Sequence, residues 1–531
     1  RSAGILLCVV LAIAACGKSD RPLQEAEPDP GNVLRIDVAA SFGSLNTMED
    51  VHSGSSVIYP LLHSYLCVPD VNGELQPDLA EGWSYDPSLL LWTISLRKNV
   101  RFHDGRPVTA EDVRYSFEEA LRHSHNVAPV TLATVSSITT PAPHVVQFNL
   151  RQGDAELLSK VWGQEIVPVP RPGQESENEV PVGSGPFVFD YRRGDGEVGL
   201  RANEDYYRGR PLLDRVVFYH VPDRESSWAR LILGKTDMVR EIYPKDYEMI
   251  RDHTDLFQFF LGTSLYYTVL LYNTHDPLLS DPRIRVALSH AIDTNHIIRE
   301  IMMGMGAAAA GPGGADTIPG NPSVRPIPYD PKRALELLGQ LGWVLDERDR
   351  YLSRNGRGFE FELVYFNRYQ IDERVAEYLQ LCFNDIGIKA RIKAVPFDKL
   401  LLKYSTNDDF QAVLTEMRGA RGMPEILNLL WGNGDEHTAF AGCFNYPDVN
   451  RLLEQARKEA DPLKKRELSF QAEALIVSLQ PGSFLFHRVF ADVVSSRVFL
   501  PALFSFSTGG IHRLWQASVR APEKRTPPRA R

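Results

Sequence analysis

Apolar and polar positions alternate along Val33 to Val38, where Leu34, Ile36 and Val38 are separated by Arg35 and Asp37. They alternate again where Trp92, Ile94 and Leu96 interleave with Thr93, Ser95 and Arg97. A two-residue period is that of a half-buried strand. Val100 and Phe102 prolong the second pattern, and Asp104-Gly105 then turns the chain, because Gly accepts a positive φ and Asp bonds its own backbone. Thr109 stands where a hydroxyl can cap a new helix, with Glu111 and Asp112 in the first turn, where the helix dipole favours acids. Val113, Phe117 and Leu121 give that helix its apolar face.

The later chain repeats the alternation of periods. Strands are expected at 145–150, after the glycine turn Gly183-Ser184-Gly185, and at 265–273, 359–365, 390–395 and 410–415. Helices are expected at 281–293, 329–341, 371–385, 397–404, 449–459 and 465–479. Asp281-Pro282 and Asp330-Pro331 mark two of their starts, an N-cap followed by a proline whose missing amide costs nothing in a first turn. Strands alternating with helices predict an α/β fold whose sheet is mostly parallel and covered on both faces. The stretch from Gly304 to Pro328, rich in Gly, Ala and Pro, reads as a long irregular loop.

Length and composition add bounds. A chain of 531 residues suggests about three structural units at ~150 residues each. A formal charge of −10 without a basic run in the body of the chain gives nucleic-acid binding no support. Ile5 to Ala15 is apolar behind Arg1 but far short of the ~20 residues that span a bilayer, so it reads as a signal-peptide core, and a chain beginning without Met is expected to lack its first residues. Ile13-Ala14-Ala15-Cys16 resembles the lipobox of bacterial lipoproteins, which implies acylation of Cys16. Residues 17–31, polar and proline-bearing, form a tether, and the basic, proline-rich residues 521–531 a disordered tail. Beyond Cys8 and Cys16 only Cys67, Cys382 and Cys443 remain, without a CxxC pair, so no zinc site and at most one disulfide follow. Cys382, among Leu379, Leu381 and Phe383, reads as a buried thiol.

No catalytic constellation appears: there is no GxSxG elbow, no HExxH and no cofactor motif, and the histidines stand singly. Leu233-Gly234-Lys235-Thr236 invites a nucleotide reading, but the first glycine of a Walker loop would fall on Ala229, inside an amphipathic helix. His103-Asp104 is explained by its turn.

Several stretches in order carry a resemblance: Leu75-Gln-Pro-Asp-Leu-Ala-Glu-Gly-Trp83, Leu96 to Val113 around Phe102-His-Asp-Gly-Arg-Pro107, Val182-Gly-Ser-Gly-Pro-Phe187, Asn203 to Phe218, and Asp281 to Asp293. Together they closely resemble the family 5 extracellular solute-binding proteins of peptide and nickel ABC importers. The chain departs from the family at Leu45-Asn46-Thr47, where a Leu-Asp-Pro step is usual, and at Tyr207, where Trp is usual. The resemblance implies two lobes joined by crossing segments, plus an extra α/β domain. Mapped here, the first lobe is 32–56, 181–266 and 491–520, the extra domain 57–180, and the second lobe 267–490, with a hinge near Tyr266, Tyr267 and Phe490. It further implies a monomeric, lipid-anchored protein outside the cytoplasm that delivers a solute to a permease and ATPase, or alternatively a sensor or scavenger of the same fold for haem or a metal chelate. An enzyme is not implied.

In the peptide binders of the family, a loop after a late strand carries Trp-x-Ala-Asp-Tyr-x-x-Pro, whose Asp holds the peptide's ammonium. The matching stretch here is Glu416-Met-Arg-Gly-Ala-Arg-Gly-Met-Pro424, which places Ala420 at the Asp position between Arg418 and Arg421. Two guanidinium groups cannot hold an ammonium but match a carboxylate, which points to an anionic ligand; alternatively both face solvent or pair with Glu416 and Glu425. Trp431 could stack on a flat group, Ser41, Phe42 and Tyr267 complete the expected site, and Glu416 is the nearest acid for an amine.

Overall fold

The computed structural model describes residues 32–47, 54–70, 74–122, 132–170, 180–194, 196–242, 244–313, 321–346, 350–366, 370–395, 410–420, 424–432, 446–459, 461–500 and 514–519. The leader with Cys16, the tether, the helix expected at 397–404, Arg421, Cys443 and the tail lie outside these residues.

Two strands dominate the architecture, Phe257–Tyr272 with 16 residues and Gly482–Ser495 with 14. At ~3.3 Å per residue the first spans roughly 50 Å, two to three times an ordinary strand. They pair antiparallel from Phe257 opposite Ser495 to Leu271 opposite Gly482, with breaks in register between Thr263 and Tyr267 and between Thr268 and Val269. The sequence pattern exposed only the second half of Phe257–Tyr272, because Phe257, Phe259 and Leu261 alternate less cleanly than the buried run after Tyr267.

One 11-stranded sheet is built on this pair. On one side follow Ala412–Arg418, Glu360–Phe366 and Lys389–Val395; on the other, Met238–Ile242, Val33–Val38, Arg215–His220, Glu197–Ala202 and Phe187–Arg193. Gly306–Ala308, inside the long loop, adds to Gly482–Ser495. Parallel pairing is confined to two triplets, Glu360–Phe366 between its two neighbours and Val33–Val38 between its two. The sheet is therefore mixed rather than mostly parallel: a strand leaving one lobe and a strand returning beside it must run in opposite directions. The apolar faces fill separate cores, one around Leu34, Ile36, Phe187 and Phe218, and two on either side of the other half of the sheet. Ile58, Leu61 and Leu62 belong to the first of these, a few residues past the start expected for the extra domain.

Buried charges tie each half. Asp237, at the end of the Gly234-to-Asp237 turn, is fully buried; it accepts from the Arg35 amide at 2.9 Å and from Arg497 Nε at 2.6 Å, joining both ends of the chain. Arg285, on Pro282–His290, is also fully buried, and among the described residues no carboxylate hydrogen-bonds to it. Its guanidinium instead donates to the carbonyls of Leu279, Ser280, Leu479 and Gln480 and to the Tyr446 hydroxyl, at 2.6–2.9 Å. It thereby satisfies carbonyls that the end of helix Pro462–Leu479 leaves open.

The extra unit is a four-stranded antiparallel sheet, in the order Ala80–Asp86, Leu91–Leu96, Val145–Leu150, Val135–Ala142, under helix Ala110–Arg122. Phe117 meets Phe148 edge-on at 5.1 Å. Leu121 is exposed, so Val113, Phe117 and Ala120 form the packed face instead. The Thr109 hydroxyl does not cap the helix amides; it and the Thr109 amide both donate to Asp112 Oδ2 at 2.8 Å, closing the turn from the other side. Tyr207 donates to Asp78 Oδ1 at 2.6 Å, a use of its hydroxyl that a tryptophan at this place would have to replace. Cys67 and Cys382 are both buried, free thiols.

The glycine turn meets this unit closely. A Cβ on Gly183 would lie 1.8 Å from the Leu62 carbonyl oxygen, and one on Gly185 2.6 Å from that of Leu61, so both positions require glycine. Gly183 N–H donates to His103 Nδ1 at 3.3 Å, leaving Nε2 to donate to the Gly185 carbonyl at 3.1 Å. These partners need a neutral imidazole, and burial pushes His103 down to about 4 from an ordinary 6.5. The unfolded chain binds the proton first as pH falls, so this contribution to stability is complete above pH ~6.5 and is lost on descending to about 4, by up to roughly 3 kcal/mol. Replacing His103 by Gln removes the titration. Urea unfolding at pH 7 and pH 4.5 should show a smaller acid loss in His103→Gln than in the parent; equal losses would rule out His103 as a contributor.

Candidate functional site

Near the middle of the two long strands the backbone register slips, and Tyr266 becomes accessible. Tyr266 is 50% exposed and directly opposite Arg418; two residues on, Thr268 is opposite Glu416. Side chains two apart on a strand share a face, so Tyr266, Arg418 and Glu416 form one patch over buried Thr268. The strand carrying Glu416 and Arg418 runs from Ala412 to Arg418, three residues beyond the expected end at Thr415, so these two residues are held on a strand rather than in a loop.

Arg488, on the returning strand, completes the patch. Its Nε lies 2.7 Å from Glu416 Oε1 and one terminal nitrogen lies 2.6 Å from Asp372 Oδ1, Asp372 being in the first turn of helix Gln370–Asp385. All three side chains are less than a third exposed, so solvent screens the pairs only in part. Glu416 is thus committed to Arg488, which removes it as a partner for Arg418 and offsets the charge an ammonium would need. Among the described residues, none hydrogen-bonds or pairs with the Arg418 guanidinium. Arg488 and Asp372 were not singled out by the sequence; the signal was present only as a cation closing the apolar run Phe484 to Phe486.

The opposite face of the same strands is core. Tyr267 is fully buried, its ring 5.7 Å from Phe484 and 5.8 Å from His487, and Trp431 is 1% exposed, 5.5 Å from Phe484. Burial raises the Tyr267 phenol well above its ordinary value. Both aromatic rings, expected beside a ligand, face protein. Ala420 is fully buried and its amide donates to the Pro312 carbonyl at 2.8 Å. An acid at that position would have to be desolvated, whereas Ala is not penalised. In the first lobe Ser41 is exposed, while Phe42 is buried edge-on to His220 at 6.3 Å; the Phe42 and Gly43 carbonyls accept from Arg192 at 2.7 and 2.8 Å. Ser41, Glu416 and Arg418 are therefore the exposed or part-exposed members of the expected set, and Arg421 lies outside the described residues.

A contact spans the lobes. Gln152, in the extra unit, donates its Nε2 to the Arg457 carbonyl at 2.9 Å, at the end of helix Pro447–Lys458. Its loop is fixed by Asp154, whose carboxylate pairs with buried Lys160 at 2.9 Å and accepts from Thr134 at 2.8 Å. Among the described residues no group of three or more His, Cys, Asp or Glu could hold a metal ion, and no helix is long and apolar enough to cross a membrane.

Comparison with known proteins places these features. Residues 74–437 match the model of the bacterial extracellular solute-binding proteins, family 5 middle region. The oligopeptide-binding protein AppA of Bacillus subtilis is 24% identical over 503 residues, covering 91% of this chain and 92% of that protein. Heme-binding protein A of Haemophilus influenzae is 25% identical over 460 residues, 80% of this chain and 81% of that one. The structure of NikA from Brucella suis, solved with Fe(III)-EDTA, superposes with a TM-score of 0.81 at 18% identity, covering 93% of this chain and all of that one. The similarity to solved structures extends to their two-lobed form.

Replacing Arg488 by Met would remove the cation that the part-buried carboxylates of Glu416 and Asp372 both contact. The expected cost is roughly 1.5–3 kcal/mol, the scale of hydrogen bonds to charged groups. A second change, Glu416→Gln, should return part of it. Urea unfolding of the two single variants and the double variant checks this; strictly additive losses would show that the two residues are not coupled.

Proposed function

The chain belongs to the bacterial extracellular solute-binding proteins of family 5, and from this we propose that it encloses an anionic, peptide-like solute between its lobes for delivery to an ABC permease and its ATPase. The observation that carries the ligand's charge is Arg418: it lies beside exposed Tyr266 without a described partner, while Glu416 is taken by Arg488. A guanidinium left desolvated in a closed cleft would be costly, so an anion there is favoured. Arg421, next to buried Ala420, supplies the second fork. Brucella suis NikA offers a parallel for an anionic ligand, its structure containing Fe(III)-EDTA, a chelate built from carboxylates.

Closure about the crossing strands is supported by their interrupted register and by the Gln152 contact, which can form only while the extra unit stands against the second lobe. Ligand bound between the lobes then favours the closed state through contacts that the open state lacks. The first lobe is taken as 32–56, 181–266 and 491–520, and the second as 267–490. No cofactor is required, and the protein acts as a monomer held at the membrane by an acyl chain on Cys16.

Mass spectrometry of what copurifies with the folded protein identifies the ligand, and calorimetry then tests the arginines. Arg421→Ala should weaken binding by about 10- to 100-fold, the scale of one charge-assisted hydrogen bond, and Arg418→Ala by less. Losses below twofold in both, or tight binding of amidated peptides with a free amine, would overturn the anionic reading. For the anchor, Cys16→Ser should move the protein from the membrane fraction to the soluble one; a Ser variant that stays membrane-bound would exclude acylation as the attachment.

A further inference from the structure

Helix Pro462–Leu479 buries a carboxylate that the site described above does not use. Glu473 is 2% exposed, and its Oε2 has no hydrogen-bond partner among the described residues. The other side of the carboxyl is occupied: Oε1 lies against the Gly313 backbone, and both Gly313 and the Asn321 side chain favour the charged form. The contact with Gly313 is close enough that a Cβ there would lie 2.1 Å from Oε1, and a Cβ on Gly311 would lie 2.6 Å from Val477 on the same helix. Asn321 is itself fixed, donating to the Phe470 carbonyl at 2.7 Å and accepting from the Ser323 amide at 3.0 Å. One carboxyl thus gathers the two chain positions on either side of residues 314–320 onto a single helix.

From Gly313 the connection continues to the ligand-facing strand. The carbonyl of Pro312, the preceding residue, accepts from the Ala420 amide at 2.8 Å. Ala420 follows the last residues of strand Ala412–Arg418 and precedes Arg421. We infer that Glu473 is a positioning residue for the end of the strand that bears Arg418: by holding Pro312-Gly313 against its helix, it fixes where Ala420, and with it Arg418, stands. The inference rests on the proposed role of that arginine, but the placement of Ala420 can be measured without any ligand.

A neutral amide can do the same work. Burial raises the Glu473 carboxyl to about 7, so near neutrality one oxygen carries a proton part of the time. Oε2, without a partner among the described residues, is the oxygen that can take the proton while Oε1 stays against Gly313. Gln at 473 keeps an acceptor oxygen; Ala does not.

Hydrogen exchange on the ligand-free chain, followed by mass spectrometry of peptides covering 306–313 and 410–432, tests the connection. In Glu473→Ala the amides of Gly313 and Ala420 should exchange about tenfold faster, the scale of one lost net hydrogen bond. Peptides from the first lobe should be unchanged, and Glu473→Gln should restore the parent rates. Gly313→Ala, which displaces the loop while keeping the carboxyl, should reproduce the Glu473→Ala pattern and serves if that variant does not fold. Binding of N-acetyl-trialanine, a probe with one free carboxylate and no amine, should weaken about tenfold in Glu473→Ala and recover in Glu473→Gln. Unchanged exchange at Ala420 in both Glu473→Ala and Gly313→Ala, or a Gln variant as fast as Ala, would overturn the inference. If the parent protein does not bind the probe, the anionic-ligand reading fails, while the exchange rates still decide the role of Glu473.

Discussion

Antiparallel hydrogen bonding between Phe257–Tyr272 and Gly482–Ser495 is the constraint on which the rest of this structure depends. The two strands supply the middle of the sheet for both lobes, so each lobe is completed by half of a pair whose other half lies in the neighbouring lobe. Pairing is regular at both ends and interrupted between Thr263 and Tyr267. The ladder breaks again between Thr268 and Val269, so both irregularities fall at the level where Tyr266, Arg418 and Arg488 come together.

Charge placement follows the same division. Cations at the sheet's core, Arg285 above all, are saturated by carbonyls, and buried Asp237 and Asp154 are saturated by cations and backbone or hydroxyl donors. At the crossing, by contrast, Arg488 serves two carboxylates and Arg418 serves none of the described ones. Satisfied polar groups rigidify an interior, whereas an unsatisfied one invites a ligand. Arg285 and Arg418 thus differ in how their charge is met, the one saturated by carbonyls and the other without a described partner.

Sequence pattern disclosed those parts of the fold that are local. Asp281 and Asp330 cap their helices as their proline neighbours implied, accepting from Arg283 and Arg333 at 2.9 Å. The strand at Glu360–Phe366 and helix at Gln370–Asp385 fell within a residue of their apolar periods. Family motifs carried the two-lobed plan, which local periodicity alone does not contain. What escaped depends on partners distant in the chain: the 116-residue separation of Asp372 from Arg488, or the burial of Trp431, which a short apolar helix with an aromatic end does not distinguish from exposure. Leu121 was misplaced because a helix face was drawn from spacing alone, while the sheet beneath selects Ala120 instead. The mixed direction of the sheet was hidden for the same reason, since strand order is a property of the closed topology.

Strand order also bears on when the molecule can become itself. Val33–Val38 emerges first from a ribosome or an export channel, yet its parallel neighbours are residues 215–220 and 238–242, and beyond them the sheet waits for 482–495. Asp237 likewise acquires its Arg497 partner only after another 260 residues have been made. The first lobe is therefore begun by the earliest strand and finished by one of the latest. An unfinished chain exposes an open sheet edge throughout its passage, a state compatible with threading in extended form and one that needs protection from pairing with other chains until the last crossing strand is laid down.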